Sequence, residues 1–437
     1  MTAKKMEVKD FTEPVFHLVE NLKEHIKRKD KHFSDIIDND GNQYVDVVME
    51  GGGMLGIALV GFTYVLEQAG IRFLQIGGAS AGAINALLLA SLGTPAESKS
   101  EKILMELANF EMFKFVDAED DVGAAIQALV GNKGSLKKAF KIALALDKLD
   151  DFWRDLGLNP GKVFHRWVKN ILEEAKINNT RDLLDRLAQL PPTLKHREGK
   201  SLANRTAGLA LVAADVSTQT KVVFPKMAEL YWENPDEVNP SDYVRASMSI
   251  PFFFQPFRVK NIPRGDEAMR LWKKYADYED TPPESCVFID GGIMSNFPIN
   301  LFHRPDRVPT APTFGIKLGS DERKTENIPD PFSLGWVIFN AARFNLDADF
   351  IARNQDYRML VSCIGTGEHH WLKFDMSDAE KIDLFRRGAE EADRFLREFD
   401  WLEYKKVREG IAQSIKDSNI PKEKMSGDAV PSSVKDV

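Results

Sequence analysis

The pattern of hydrophobic and polar positions changes period several times along the chain, and each change predicts an element. Residues 44–50, YVDVVME, form a short β-branched run that reads as a buried parallel strand. The run leads into GGGMLG, residues 51–56, and then into IALVGFTYVLEQAG, which predicts a helix closed by Gly70. Residues 72–76, RFLQI, read as the next strand and feed GGASAG and an apolar helix over residues 82–92. Strand, glycine loop, helix, strand, glycine turn, helix is the order of a right-handed βαβ unit, so a mostly parallel sheet is expected.

Before this core, residues 1–43 are polar and mostly helical in pattern, ending in the turn-like IIDNDGNQ. After it, apolar residues recur every three and four positions in EKILMELANF, KKAFKIALALDKL and KVFHRWVKNILEEAK, which reads as a helical insertion over the sheet at about residues 95–200. Strand patterns return at residues 206–213, 221–224, 285–289 and 313–317, and the charged GSDERKTENIPD, residues 319–330, reads as a surface loop. The expected organisation is a helical extension over residues 1–43, an α/β core over 44–320, a helical part over 321–418 and a disordered tail over 419–437.

Composition narrows the function without naming it. With 437 residues, 43% hydrophobic and 28% charged, the chain is long enough to bury a large core and ordinary for a soluble protein. A formal net charge of −8 argues against a general nucleic-acid surface. The two cysteines, Cys286 and Cys363, fit neither a disulfide framework nor a zinc spacing, which favours a reducing compartment. The N-terminus has no signal-like apolar stretch, and the longest apolar run falls short of the roughly 18 residues that span a bilayer. A cytoplasmic protein, at most peripheral at a membrane, is expected.

Two glycine-rich turns carry the chemistry. Gly78, Ser80 and Gly82 make a G-x-S-x-G turn between a strand and a helix, the form that presents a serine hydroxyl as a nucleophile. GGGMLG fits both a dinucleotide-binding turn and a set of N–H donors for an oxyanion. A dinucleotide site wants an acidic residue at the end of the second strand, and this chain has Gln75 and Ile76 before GGASAG. In a parallel sheet both turns emerge at one carboxyl edge, which favours the hydrolase chemistry.

A serine needs a base. None of the eight histidines stands in a triad-like setting, whereas VFIDGGIMSNFP, residues 287–298, places Asp290 at the end of a buried strand before Gly291 and Gly292. Burial there raises the proton affinity of a carboxylate enough for base work. The alternative is that Asp290 only caps its turn.

GGGMLG, GASAG and DGG in this order resemble the patatin-like phospholipases, serine lipid acyl hydrolases with a Ser-Asp dyad. VRASMSIPFFFQPF, residues 244–257, and Asn296 with Pro298 after DGG add to the resemblance, which covers roughly residues 44–317. It implies a three-layer α/β/α sandwich, with Ser80 as the acylated nucleophile and Asp290 as its base. Gly51, Gly52 and Gly53 would form the oxyanion hole, with Gly56, Gly78, Gly82, Gly291 and Gly292 completing the motifs. A phospholipid or lysophospholipid substrate is implied, with transient membrane contact and neither cofactor nor metal, calcium included. One departure stands out: the family loop usually carries Arg or Lys before its last glycine, and here that position is Leu55.

Other features have bland and sharp readings. Phe152, Trp153, Phe164 and Trp167 either line a lid that meets lipid or pack as core of the helical layer. FFFQPF, residues 252–257, either walls an acyl pocket or fills the core. His369 and His370 are adjacent and lack the spacing of metal ligands, and the basic tract at residues 23–31 reads as a solvated helix face. Two alternatives to a lipid hydrolase remain at this level: a ligand- or nucleotide-regulated effector activated by a small molecule or a protein, and a lipid-binding scaffold that has lost turnover.

Overall fold

The computed structural model describes residues 5–115, 117, 154–202, 205–304, 306–319, 325, 328 and 331–417. The expected helix at residues 137–149, the aromatic pair Phe152 and Trp153, most of the charged loop at 319–330 and the tail from 419 lie outside the described residues.

A mixed sheet runs through the centre in the order Val361–Ile364, Thr313–Leu318, Gln43–Met49, Ile71–Ala79, Gly208–Asp215, Ser285–Ile289, Phe257–Lys260. The first five strands are mutually parallel. Ser285–Ile289 runs antiparallel to Gly208–Asp215 and to the edge strand Phe257–Lys260, and Thr220–Phe224 also pairs antiparallel with Gly208–Asp215. The parallel character expected from the βαβ order therefore holds for the centre of the sheet and gives way in the pairings made by Ser285–Ile289 and Thr220–Phe224.

Both faces are covered, which is why the central strands are apolar without alternation. Along Gln43–Met49 the side chains nonetheless divide with period two. Val45, Val47 and Met49 join the main core, while Val48 packs with Phe297, Ile299 and Tyr357 on the other face. Helices Gly56–Gln68 and Asp378–Glu398 cross closely on the main-core side, where a Cβ at Gly388 would lie 1.9 Å from the Ala58 carbonyl oxygen. The opposite layer holds Pro331–Arg353, whose Phe350 and Ile351 pack on that second cluster. The fold is a three-layer α/β/α sandwich, and its C-terminal helices belong to the layers themselves. Among the described residues no helix is long and apolar enough to cross a membrane.

Asp46 is a buried carboxylate inside this sheet. It accepts the Gln75 N–H at 3.1 Å where the register between the first two strands shifts between Val45 and Val47. Burial pushes its pKa up to about 7, against the charge of Arg205 and the Gln75 N–H. Because the folded value lies above the unfolded one, the protonated form contributes stability below about pH 4 that is lost as the pH rises through 7. The order of magnitude is about 4 kcal/mol at most. Asp46→Asn keeps the acceptor and removes the titration. Its stability advantage over the parent in denaturant titrations is expected to grow between pH 5 and pH 8, and an equal advantage at both pH values would count against this origin.

Candidate active site

The glycine loop and the serine turn leave two adjacent parallel strands at the same edge, because Met49 pairs with Gly78. Ser80 follows Ala79 and opens helix Ala81–Ser91 with φ 51° and ψ −121°. A non-glycine residue rarely adopts this conformation, and the packing of both flanking glycines enforces it. A Cβ at Gly78 would lie 2.4 Å from the Gly82 carbonyl carbon, and one at Gly82 would lie 2.2 Å from the Met49 carbonyl oxygen. The helix is therefore seated against the end of the first strand, with its positive N-terminal end at Ser80.

Asp290 reaches the same point from the opposite direction. Ala79 pairs with Val212 in the parallel sense, and Ile289 pairs with Ala214 in the antiparallel sense. Ser80 and Asp290 thus both follow strands that end beside Ala213, one running up the sheet and one running down. The approach is tight: a Cβ at Gly291 would lie 2.0 Å from the Val212 carbonyl oxygen. The antiparallel strand is what brings the carboxylate to the serine, and the expectation of a mostly parallel sheet did not contain it.

The end of helix Ser241–Ser247 and the residues just after it support both residues. Ser247 Oγ donates to the Val212 carbonyl at 2.6 Å and accepts the Ser80 N–H at 2.9 Å. Asp290 N–H and Gly291 N–H donate to the carbonyls of Ser249 and Ser247 at 2.8 and 3.1 Å. Ser80 Oγ donates to Met248 Sδ at 3.2 Å. These residues lie in the VRASMSIP stretch, whose part in the site no spacing rule disclosed.

Ser80 and Asp290 are each 1% exposed. Asp290 Oδ1 accepts the Gly292 N–H at 2.8 Å, while Oδ2 is buried without a hydrogen-bond partner among the described residues. Burial raises the proton affinity of this carboxyl above the ordinary range, opposed by the charge of Arg343, the Ser80 hydroxyl and the Gly292 N–H in that order. A carboxylate with one oxygen held and the other unsatisfied is suited to take a proton.

The glycine loop lies directly beside the serine, since a Cβ at Gly51 would sit 3.0 Å from Ser80 Cβ. The Gly51 N–H donates to the Asn296 carbonyl at 3.0 Å. The N–H groups of Gly52 and Gly53 donate to nothing among the described residues. Gly53 has φ 52°, and a Cβ there would lie 2.3 Å from the Trp371 carbonyl oxygen, so glycine is required on both counts. Gly56 starts the following helix against Asn85, and Leu55 is buried in the main core.

The chain matches the family model for patatin-like phospholipase over residues 47–303, more than half of its length. The chain belongs to that family. A Bacillus subtilis (strain 168) protein, YqhO, described as uncharacterized, is 28% identical over 360 residues, covering 82% of this chain and all of that protein. Among solved structures, VipD from Legionella pneumophila aligns at 17% identity and TM-score 0.34, over 84% of this chain and 70% of its own. The type III effector ExoU, from Pseudomonas aeruginosa, aligns at 15% identity and TM-score 0.35, over 86% of this chain and 56% of its own. At those TM-scores neither likeness bears on the chemistry.

Phe164 and Trp167 are buried in a ring cluster with Phe110 and Phe115, so these two are core. Phe253 and Phe254 are also buried, Phe253 stacking on Phe374 at 4.7 Å. His369 Nε2 lies 2.8 Å from Asp383 Oδ2, and His370 stacks on Trp371.

Proposed function

We propose that this chain is a lipid acyl hydrolase that cleaves carboxylic ester bonds of phospholipids or lysophospholipids through an acyl-enzyme on Ser80. What supports the reading is one observation: a strained, buried serine and a buried carboxylate with a free oxygen meet at the end of two opposed strands, beside a loop with two open N–H donors. In the proposed step the Ser80 hydroxyl turns from Met248 Sδ toward Asp290 Oδ2, and its oxygen attacks the ester carbonyl carbon as the proton passes to the carboxylate. The N–H groups of Gly52 and Gly53, with the N-terminal end of helix Ala81–Ser91, stabilise the oxyanion. Asp290 returns the proton to the departing alkoxide. Water then attacks the acyl-serine with Asp290 as base again, releasing the fatty acid and restoring Ser80.

The test is hydrolysis of a phospholipid and lysophospholipid vesicle series by the purified protein beside Ser80→Ala and Asp290→Ala, with released fatty acid and lysolipid identified by mass. Product from the parent alone, with all three folded, supports the reading and identifies the bond cut. A silent parent that a serine-reactive phosphonate still labels at Ser80 points to a required activating ligand or protein. A silent, unlabelled parent points to the scaffold alternative.

Helix Pro331–Arg353 supplies a surface for membrane contact, whereas Phe164 and Trp167 are core. Over residues 331–346 its only charged residue is Arg343, which turns inward to the Gly51 carbonyl. Leu334, Ile338 and Phe344 are exposed on the other side of the same helix. A phospholipid surface is the partner that fits: the face is uncharged, and the helix that carries it also walls the candidate lipid site. Ile338→Asp with Phe344→Asp is expected to lower vesicle co-sedimentation by about tenfold or more, while Leu402→Asp on a different helix leaves it unchanged. Equal binding by all three proteins would exclude this face.

A further inference from the structure

We propose that Arg343 is a positioning residue of the hydrolase site: its guanidinium holds Gly51 and Asn296 in place and faces Asp290 with the positive charge that the glycine loop itself lacks. The inference rests on the Ser80–Asp290 reading above. The loop carries Leu55 as a buried apolar residue, so no cation comes from the loop. One arrives from about 290 residues further along the chain, on helix Pro331–Arg353.

The contacts are specific. Arg343 Nη2 donates to the Gly51 carbonyl at 3.1 Å, and Nε and Nη2 donate to Asn296 Oδ1 at 3.2 and 3.1 Å. The other end of the Asn296 amide donates to Glu50 Oε1 and to the Gly51 carbonyl, both at 3.2 Å, and the Asn296 carbonyl takes the Gly51 N–H. The planar cation lies over the Trp371 ring at 4.6 Å, and the Trp371 carbonyl accepts the Met54 N–H at 2.8 Å. The guanidinium and its aromatic bed therefore hold the glycine loop at both ends, leaving Gly52 and Gly53 between them. Trp336 stacks on the far side of the same arrangement, 5.5 Å from Trp371.

The same guanidinium faces the base. A Cβ at Gly292 would lie 2.8 Å from Asp290 Oδ1, 2.7 Å from Asn296 Oδ1 and 3.0 Å from Arg343 Nε, so the carboxylate and the cation flank one point. The groups that act on Asp290 are the Ser80 hydroxyl from the serine turn, the Gly292 N–H from its own loop and Arg343 from the helix, with Glu50 behind Asn296. Of these, Arg343 gives the largest pull toward the ionised form, against burial. In a low-dielectric site that charge favours the ionised form of a buried base, opposing the effect of burial. The forked geometry, one nitrogen on a backbone carbonyl and two on an amide oxygen, suits arginine and not lysine.

The experiment measures the rate of Ser80 labelling by a fluorophosphonate from pH 5 to pH 9, which needs no knowledge of the lipid. It uses the full chain, Arg343→Met and Arg343→Lys, with thermal melts to verify folding. Without the cation Asp290 holds its proton to higher pH, so the Arg343→Met deficit is expected to be about tenfold or more near pH 6 and to shrink toward pH 9. Arg343→Lys keeps the charge and loses the fork, so its pH profile follows the parent while its plateau rate stays lower. A deficit in Arg343→Met that is the same at every pH, or none at all, overturns the proposal while the Ser80–Asp290 reading stands. An unlabelled parent overturns that reading and this one together.

Discussion

Ser80→Ala is expected to abolish both ester turnover and phosphonate labelling while leaving the fold intact. The loss should be at least three orders of magnitude, because the nucleophile, base and oxyanion donors act as a unit and removing the nucleophile forfeits covalent catalysis. No neighbouring hydroxyl takes over: Ser247 Oγ is committed to the Val212 carbonyl and the Ser80 N–H. The structural cost is small. Alanine keeps the backbone N–H that binds Ser247 and loses one weak bond to Met248 Sδ, so stability should change by no more than about 1 kcal/mol. Residual turnover above a few per cent in a folded Ser80→Ala protein would remove Ser80 from the chemistry. The clearest measurement is intact-protein mass after phosphonate treatment, which reads the serine itself.

Much of this site can be read from residue order, and the rest depends on contacts between distant segments. The first two strands and their helices follow from apolar runs broken by glycine, and the observed strands Gln43–Met49 and Ile71–Ala79 lie within a few residues of that reading. The second strand continues through Gly77 and Gly78, which a propensity argument takes as turn residues. A Cβ at Gly77 would meet the ring of Phe302 at 3.2 Å, so glycine there admits the opposite layer and does not end the strand. Helix Asp266–Ala276 lies in a stretch for which the pattern predicted no element. Asp290 could be picked out by its place before two glycines, but not the antiparallel pairing of Ile289 with Ala214 that turns it toward Ser80. Arg343 and Trp371 left no local signal: an arginine in an apolar helix and a tryptophan after two histidines acquire meaning only when the C-terminal helices pack against the first strand. Met248 and Ser247 sit between these cases, inside a recognisable stretch whose work at Ser80 requires coordinates.

Asp290→Asn is expected to lose turnover by about two to four orders of magnitude and, at neutral pH, to make the protein more stable. The amide keeps the Gly292 N–H bond at Oδ1 and puts a neutral group where the unpartnered Oδ2 is buried. Two electrostatic effects compete at this position. Burial penalises the charged carboxylate, and Arg343 rewards it, but the net proton affinity is raised, so burial prevails. The sign follows. With a folded pKa above the unfolded one, protonated Asp290 contributes stability at low pH that is lost as the pH rises through the folded value. Asn carries no such loss. Its advantage should therefore be small near pH 4 and larger at pH 8, a difference of about 1 to 3 kcal/mol for relieving one buried charge. Arg343 keeps the Gly51 carbonyl and Asn296 as partners in this variant, so removing the carboxylate does not strand the cation. Denaturant midpoints at the two pH values, read beside turnover, decide the point. An Asn variant that is inactive and stabilised at pH 8 identifies Asp290 as a base held at a cost to the fold, whereas one destabilised at pH 8 would make the Arg343–Asp290 attraction the dominant force and Asp290 chiefly a structural anchor.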